Sequence, residues 1–154
     1  MIAELEEKVM QTNAIEGINH GGCAINALAI YDYVMLHYPE LNPVIMYHHS
    51  CSYNDNAIYV KKGQYQYLCC GHAIVKIEVD GYIQYVESSG VWDDPRCDGE
   101  PSLKEHKLVE VPRDMVSMHI NTSGWNKCFD RRNSVRIDEI FGTKVAWEVE
   151  GVIA

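Results

Sequence analysis

The 154 residues of this chain are 47% hydrophobic and 23% charged, and 22 acidic against 13 basic side chains give a net charge of −9. This length suits one domain with its own hydrophobic core, and the composition excludes disordered, collagen-like and low-complexity proteins. The acidic balance argues against a nucleic-acid partner, because phosphate binding needs clustered Lys and Arg. No apolar run approaches the about 18 residues of a membrane helix, so we expect no membrane partner either.

Six cysteines stand out in this composition. Such a number fits a disulfide framework, a set of metal ligands, buried small side chains or a nucleophile. The first residues are acidic, unlike the basic start of a secretory signal, so we expect a cytoplasmic protein whose thiols stay reduced. This argues against disulfides and leaves the question of which cysteine differs from the rest. The cysteines are Cys23, Cys51, Cys69, Cys70, Cys97 and Cys128.

The first third of the chain predicts mainly helix. Leu5 and Val9 are spaced as on one face of a short amphipathic helix. A later segment is apolar on nearly every side, which is typical of a helix in the middle of a fold. The predicted elements are, in order, a helix at 3–12, a loop at 18–22, a helix from Cys23 to His37, a strand at 43–48 and a weaker strand at 57–61.

The clearest β signal is a hairpin. The segment from His72 to Val79 alternates, Asp80-Gly81 is a preferred two-residue turn, and the segment from Tyr82 to Glu87 alternates again. Beyond it the pattern is weaker. We expect a long loop at 89–102, a strand at 107–111, an ambiguous segment at 112–119, a helix from Asn133 or Ser134 to Phe141 stopped by Gly142, and a strand at 144–149.

The order of these elements indicates the fold class. A helix comes first and mostly antiparallel strands follow, which is typical of an α+β fold. No repeat or Pro/Gly/Ser-rich linker marks a boundary, so we expect residues 1–154 to form a single domain.

Trp92 lies in the expected long loop. We interpret it as an anchor of that loop, and a place on the wall of a substrate cleft is the alternative.

Cys23 occupies a chemically distinctive position. It follows Gly21-Gly22 and opens the apolar helix. The N–H groups and the positive dipole end of a helix stabilise an anion, so a cysteine there has a lowered pKa and more thiolate. The two glycines allow a substrate backbone to come close without a Cβ in the way. A buried structural cysteine after a glycine turn is the alternative.

His72 and Glu87 are candidate partners of that thiol. His72 opens the first hairpin strand on its more polar face. With Asp80-Gly81 as the whole turn, Glu87 lies opposite Ile74, on the face of His72 and one diagonal step away. A carboxylate there accepts the second imidazole N–H and fixes the tautomer of the ring. An exposed histidine and an ordinary cross-strand glutamate are the alternatives.

These residues resemble those of a known superfamily, the papain-like cysteine peptidases and transglutaminase-like proteins. The resemblance covers about residues 13–90. The spacing between the histidine and the acid is similar to that of transglutaminase-like members. The matching segments are Gly21-Gly22-Cys23-Ala24-Ile25-Asn26-Ala27-Leu28, Gly71-His72-Ala73-Ile74-Val75-Lys76-Ile77 and Tyr85-Val86-Glu87.

The resemblance implies a papain-like fold in which a buried helix carrying the cysteine packs on a mostly antiparallel sheet. It implies a cysteine-dependent hydrolase or acyl transferase acting on a peptide, isopeptide or related amide, with Cys23 as nucleophile, His72 as base and Glu87 as the orienting acid. The chain departs from papain in having Ala24 after the cysteine and no glutamine nearer upstream than Gln11. Asn19 is the better placed amide for the oxyanion hole.

Two other functions stay open at this point. Cys69, Cys70 and His72, with Cys51 and His48-His49, are possible zinc ligands, although no CxxC pair or HExxH is present. A binding or inhibitor protein that keeps the papain-like scaffold without its activity is the second, because fold does not imply function. We expect no cofactor and no metal.

Overall fold

The computed structural model describes residues 2–19, 22–49, 60–61, 64–65, 72–97, 107–123 and 129–151. These residues combine helices with antiparallel strands, which confirms the predicted α+β class. The helices are α1 (Ile2–Thr12), α2 (Cys23–His37), α3 (Arg113–Ser123), α4 (Arg131–Phe141) and α5 (Val145–Gly151), with a 3-10 turn at Pro39–Leu41. The strands are β1 (Val44–His49), β2 (Val60–Lys61), β3 (Gln64–Tyr65), β4 (His72–Val79), β5 (Tyr82–Glu87), β6 (Gly90–Trp92) and β7 (Lys107–Glu110).

Five strands form one sheet in the order β6-β5-β4-β1-β7, with antiparallel pairing throughout, and β2 pairs with β3 separately. The β4–β5 hairpin has the predicted register, with Val79 paired to Tyr82. Asp80 and Gly81 have φ of 51° and 83°, as a two-residue hairpin turn requires. The hairpin prediction is therefore confirmed, and β4 occupies the centre of the sheet.

Helix α2 has the predicted bounds and is buried along most of its length. One side packs against the face of β4 that carries Ala73, Val75 and Ile77. Its other sides contact α3, α4 and α5, so the helix lies between the sheet and a layer of helices. This burial on several sides explains why α2 lacks the polar face of a surface helix.

The opposite face of the sheet has a smaller core. Met46 and Ile74 are direct partners on β1 and β4, and Cys97 packs on both. Cys97 is 5% exposed, which agrees with its interpretation as a structural cysteine. Cys97 lies at the end of the turn that follows β6. The predicted loop at 89–102 is thus wrong at its start, because Gly90–Trp92 forms a strand beside β5.

The carboxyl-terminal segment corrects a further prediction. The strand expected at 144–149 is wrong, because Val145–Gly151 is helical. Asp138 of α4 accepts hydrogen bonds from the backbone N–H groups of Val145 and Ala146, at 2.9 and 2.8 Å. A carboxylate from a neighbouring helix therefore caps α5, and this cap is not readable in the segment itself.

Helix α4 begins earlier than expected. Its cap is Asp130, whose side chain accepts from the backbone N–H of Arg132, so the predicted cap at Asn133 or Ser134 is wrong. Its end is as predicted, because Gly142 adopts φ 69° as a left-handed C-cap. Residues 113–119 of the ambiguous segment at 112–119 belong to helix α3. Residues 57–59 and 98–102 lie outside the described part of the chain.

Gly22 precedes α2 in a tightly packed position. A Cβ added there would lie 2.6 Å from the ring of Phe129 and 2.9 Å from the carbonyl oxygen of Ile18. Its φ of −92° is open to any residue, so packing alone requires glycine here. The space beside Gly22 is therefore filled by the protein's own Phe129, and it is not open to a substrate backbone as we had expected.

We expect Gly22→Ala to lower the free energy of unfolding by about 1–3 kcal/mol, the usual cost of overpacking. Urea denaturation measures this change. The matched control repeats the substitution in a Phe129→Ala background, where the closest contact is gone and the cost is expected to shrink. An equal cost in both backgrounds would contradict the packing argument.

Candidate active site

Cys23 is the first residue of α2, and its side chain is partly exposed. The preceding Gly22 supplies no side-chain cap, and the first helical hydrogen bond runs from the N–H of Asn26 to the carbonyl of Gly22, at 2.9 Å. The N–H groups before Asn26 therefore have no acceptor within the helix. They present partial positive charge next to the Cys23 thiol.

The imidazole of His72 lies between Cys23 and Glu87. Its Nε2 atom is 3.1 Å from Oε2 of Glu87, and a side-chain hydrogen bond joins it to Cys23. The side chains of His72 and Glu87 are 12% and 6% exposed, so water screens this contact little. The structure thus brings together the three residues that we predicted from the sequence. Cys23 begins α2, His72 begins β4 and Glu87 ends β5.

The surroundings of His72 favour its charged form. Burial alone lowers the pKa of an imidazole, but the hydrogen bonds to Cys23 and Glu87, together with their charges, raise the pKa of His72 to about 10. Because Nε2 is engaged by the carboxylate, Nδ1 is the ring nitrogen left for the thiol. The histidine is therefore held in its charged form, in which its ring donates hydrogen bonds.

Glu87 is itself held firmly. Its second oxygen, Oε1, accepts from the backbone N–H of Ser89 at 2.9 Å and from the Ser89 hydroxyl. The Ser89 hydroxyl oxygen in turn accepts from Nε1 of Trp92 at 3.0 Å. Sequence reasoning missed Ser89 and placed Trp92 in a loop. The sequence predicted a loop after Glu87 but not the strand Gly90–Trp92, which brings Trp92 back beside β5.

Asn19 lies beside the same turn. Its Oδ1 atom is 3.5 Å from the hydroxyl of Ser88, the residue after Glu87. Ser88 is buried, whereas Asn19 is exposed. The predicted amide is therefore near the acid of the site, and its side chain is accessible from solvent.

A second histidine, His48, flanks the site on β1. It is the direct strand partner of His72, and the two rings stack with centroids 6.2 Å apart and an interplanar angle of 21°. Its Nε2 donates to the carbonyl of Pro95 at 2.6 Å. The pairing of β1 with β4 joins distant segments, so the sequence named His48 only as a possible zinc ligand.

Several predicted ligands lie outside the described residues. They are the possible zinc ligands Cys51, Cys69 and Cys70. Gly21 and Cys128 also lie outside the described residues. Within the ranges that the structure covers, no group of three or more His, Cys, Asp or Glu side chains is placed to hold a metal ion. Over the same ranges, no helix combines the length and apolar character needed to cross a bilayer.

Comparison with known proteins gave no match to a family model, a curated protein or a solved structure.

We expect Glu87→Gln to lower the pKa of His72, because the variant removes the negative charge that favours the imidazolium. NMR titration of the histidine ring signals measures the shift, which should exceed about one pKa unit for a buried charged hydrogen bond. Glu78→Gln is the matched control, since it removes the same charge from an exposed position on β4. A pKa of His72 that is equal in both variants would contradict the charge coupling.

Proposed function

We propose that this protein is a cysteine-dependent hydrolase or acyl transferase that acts on a peptide, isopeptide or related amide. A single observation carries the proposal: the His72 imidazole contacts the Cys23 thiol at a helix start on one side and the Glu87 carboxylate on the other. Nucleophile, base and orienting group in this order are the arrangement that activates a thiol for attack on an acyl carbon.

The first step is formation of a thiolate. The Cys23 proton passes to Nδ1 of His72, which gives a thiolate and imidazolium pair. The helix start stabilises the thiolate, and Glu87 stabilises the imidazolium. The raised pKa of His72 supports this pair, because it means that the imidazolium persists at neutral pH beside its two acceptors.

The thiolate then attacks the carbonyl carbon of the amide. A C–S bond forms while the π electrons of the carbonyl move to its oxygen. The backbone N–H of Cys23 and the side-chain amide of Asn19 are the proposed donors to that oxyanion. The contact of Asn19 with Ser88, the residue next to Glu87, and the uncapped start of α2 support this assignment.

Collapse of the intermediate breaks the C–N bond, and the His72 imidazolium gives its proton to the leaving amine. A thioester on Cys23 remains. Neutral His72 next takes a proton from water or from an acceptor amine, whose oxygen or nitrogen forms a bond to the thioester carbon. The C–S bond breaks to give a carboxylic acid or a new amide, and the proton on His72 returns to the departing Cys23 thiolate. The thiol of Cys23 is regenerated in both cases.

The arrangement of the elements supports a papain-like form of this enzyme. In the described chain, the helix that begins with Cys23 packs on the face of an antiparallel sheet, and the central strand of that sheet begins with His72. We therefore also propose that the fold is papain-like, as the resemblance in the sequence implied.

Alkylation of the native protein by iodoacetamide at about pH 6 tests the nucleophile. We expect Cys23 to be labelled faster than the buried Cys97, as followed by mass spectrometry of the peptides. His72→Gln should slow labelling of Cys23 at least about tenfold, because an ordinary thiol with a pKa of about 8.5 is almost wholly protonated at this pH.

Cys97 is the internal control, because its burial blocks the reagent in any folded variant. Labelling of Cys23 at the same rate in wild type and His72→Gln would contradict the assignment. Incubation with a mixture of peptides, with and without an added amine, then tests turnover. Products that form with wild type and not with Cys23→Ala support the enzyme, whereas a Cys23 that neither labels nor turns over indicates a binding protein.

A further inference from the structure

The turn between β5 and β6 is built around the carboxylate of Glu87. Glu87 and Gly90 are strand partners, so Ser88 and Ser89 form the turn between them. Both donors of Ser89, its backbone N–H and its hydroxyl, bind the same oxygen, Oε1 of Glu87. This leaves Oε2 for Nε2 of His72. The two carboxylate oxygens therefore have separate partners.

Trp92 fixes the direction of these hydrogen bonds. An indole Nε1–H is a donor only, so the Ser89 hydroxyl oxygen must accept the bond of 3.0 Å from Trp92. The single proton of that hydroxyl is then directed at Glu87. A continuous series of hydrogen bonds thus runs from Trp92 through Ser89 and Glu87 to His72.

The backbone brings Trp92 into this position. Trp92 pairs with Tyr85 across β5 and β6, and Gly90 has a φ of 139°, which glycine adopts without strain. An added Cβ at Gly90 would lie 3.7 Å from Nε1 of Trp92, so the indole nitrogen lies directly over the turn. The turn and the indole form one unit.

We propose that Ser89 and Trp92 are positioning residues of the active site, which hold the Glu87 carboxylate in the one orientation that reaches the His72 ring. The inference rests on the proposed function, since it assigns both residues to the same reaction. Glutamate has three rotatable bonds, so an untethered Glu87 would spend only part of its time against His72. The turn removes this freedom.

Ser89→Ala and Trp92→Phe test the proposal, with Ser89→Thr as the conservative variant. Two readouts are followed, the pKa of His72 by NMR titration and the pH profile of Cys23 alkylation. Ser89→Ala is expected to lower the pKa of His72 by about half a unit or more and to slow alkylation at about pH 6 roughly threefold to tenfold. Trp92→Phe keeps the ring and loses the donor, so it should shift both readouts in the same direction.

Ser89→Thr retains a hydroxyl, so we expect it to keep the wild-type pKa of His72 and the wild-type rate of Cys23 alkylation. Gln84→Ala is the matched control, because it removes a different bond of this hairpin, the one from Gln84 Nε2 to Asp93 at 3.1 Å. Urea denaturation of each variant shows how much stability is lost. A structural role alone would lower stability without a shift of the His72 pKa.

An unchanged His72 pKa in Ser89→Ala, or a Ser89→Thr variant that behaves like Ser89→Ala, would overturn the positioning role. Failure of the proposed function gives a different result. In that case Cys23 of the wild-type protein is unreactive, while the titration of His72 still reports whether Ser89 and Trp92 hold Glu87 against the ring.

Discussion

Burial of helix α2 is the constraint on which the rest of this structure depends. The helix is apolar on nearly every side, so it must be covered by the sheet on one side and by α3, α4 and α5 on the others. Its amino terminus is fixed by the same packing, because the Phe129 ring and the Ile18 carbonyl leave no room for a side chain at Gly22. This packing holds the start of α2, and with it Cys23, on a rigid support.

The electrostatics of the site follow from this placement. Burial alone disfavours a charged imidazole and lowers its pKa. Elsewhere in the same chain, burial lowers the pKa of His119 to about 4. At His72 the hydrogen bonds to Cys23 and Glu87 outweigh the same penalty and raise the pKa to about 10. The hydrogen bonds to Cys23 and Glu87 thus shift the pKa of His72 in the direction opposite to that of His119.

The sequence predicted the parts of the fold that depend on local patterns. The bounds of α2 follow from one apolar run, and the β4–β5 register follows from alternation about Asp80-Gly81, which together lead to Cys23, His72 and Glu87. Features that depend on distant contacts were missed. Helix α5 is capped by Asp138 of another helix, and His48 reaches the site only through the pairing of β1 with β4. The contact between Ser89 and Trp92 belongs to a turn. The alternation of polar and apolar residues, which predicts strands, does not predict the conformation of a turn.

The same register explains why the acid of this site is a glutamate. Position 87 lies opposite Ile74, one diagonal step from His72, and diagonal neighbours on paired strands are about 7–8 Å apart. A side chain longer than aspartate therefore suits this step, and Glu87 reaches Nε2 of His72 at 3.1 Å. The greater length adds a rotatable bond, whose freedom would weaken the contact. The donors of Ser89 on the other carboxylate oxygen, with Trp92 behind them, restrict that freedom. The length of Glu87 and the turn after β5 that holds its carboxylate thus meet the same geometric requirement.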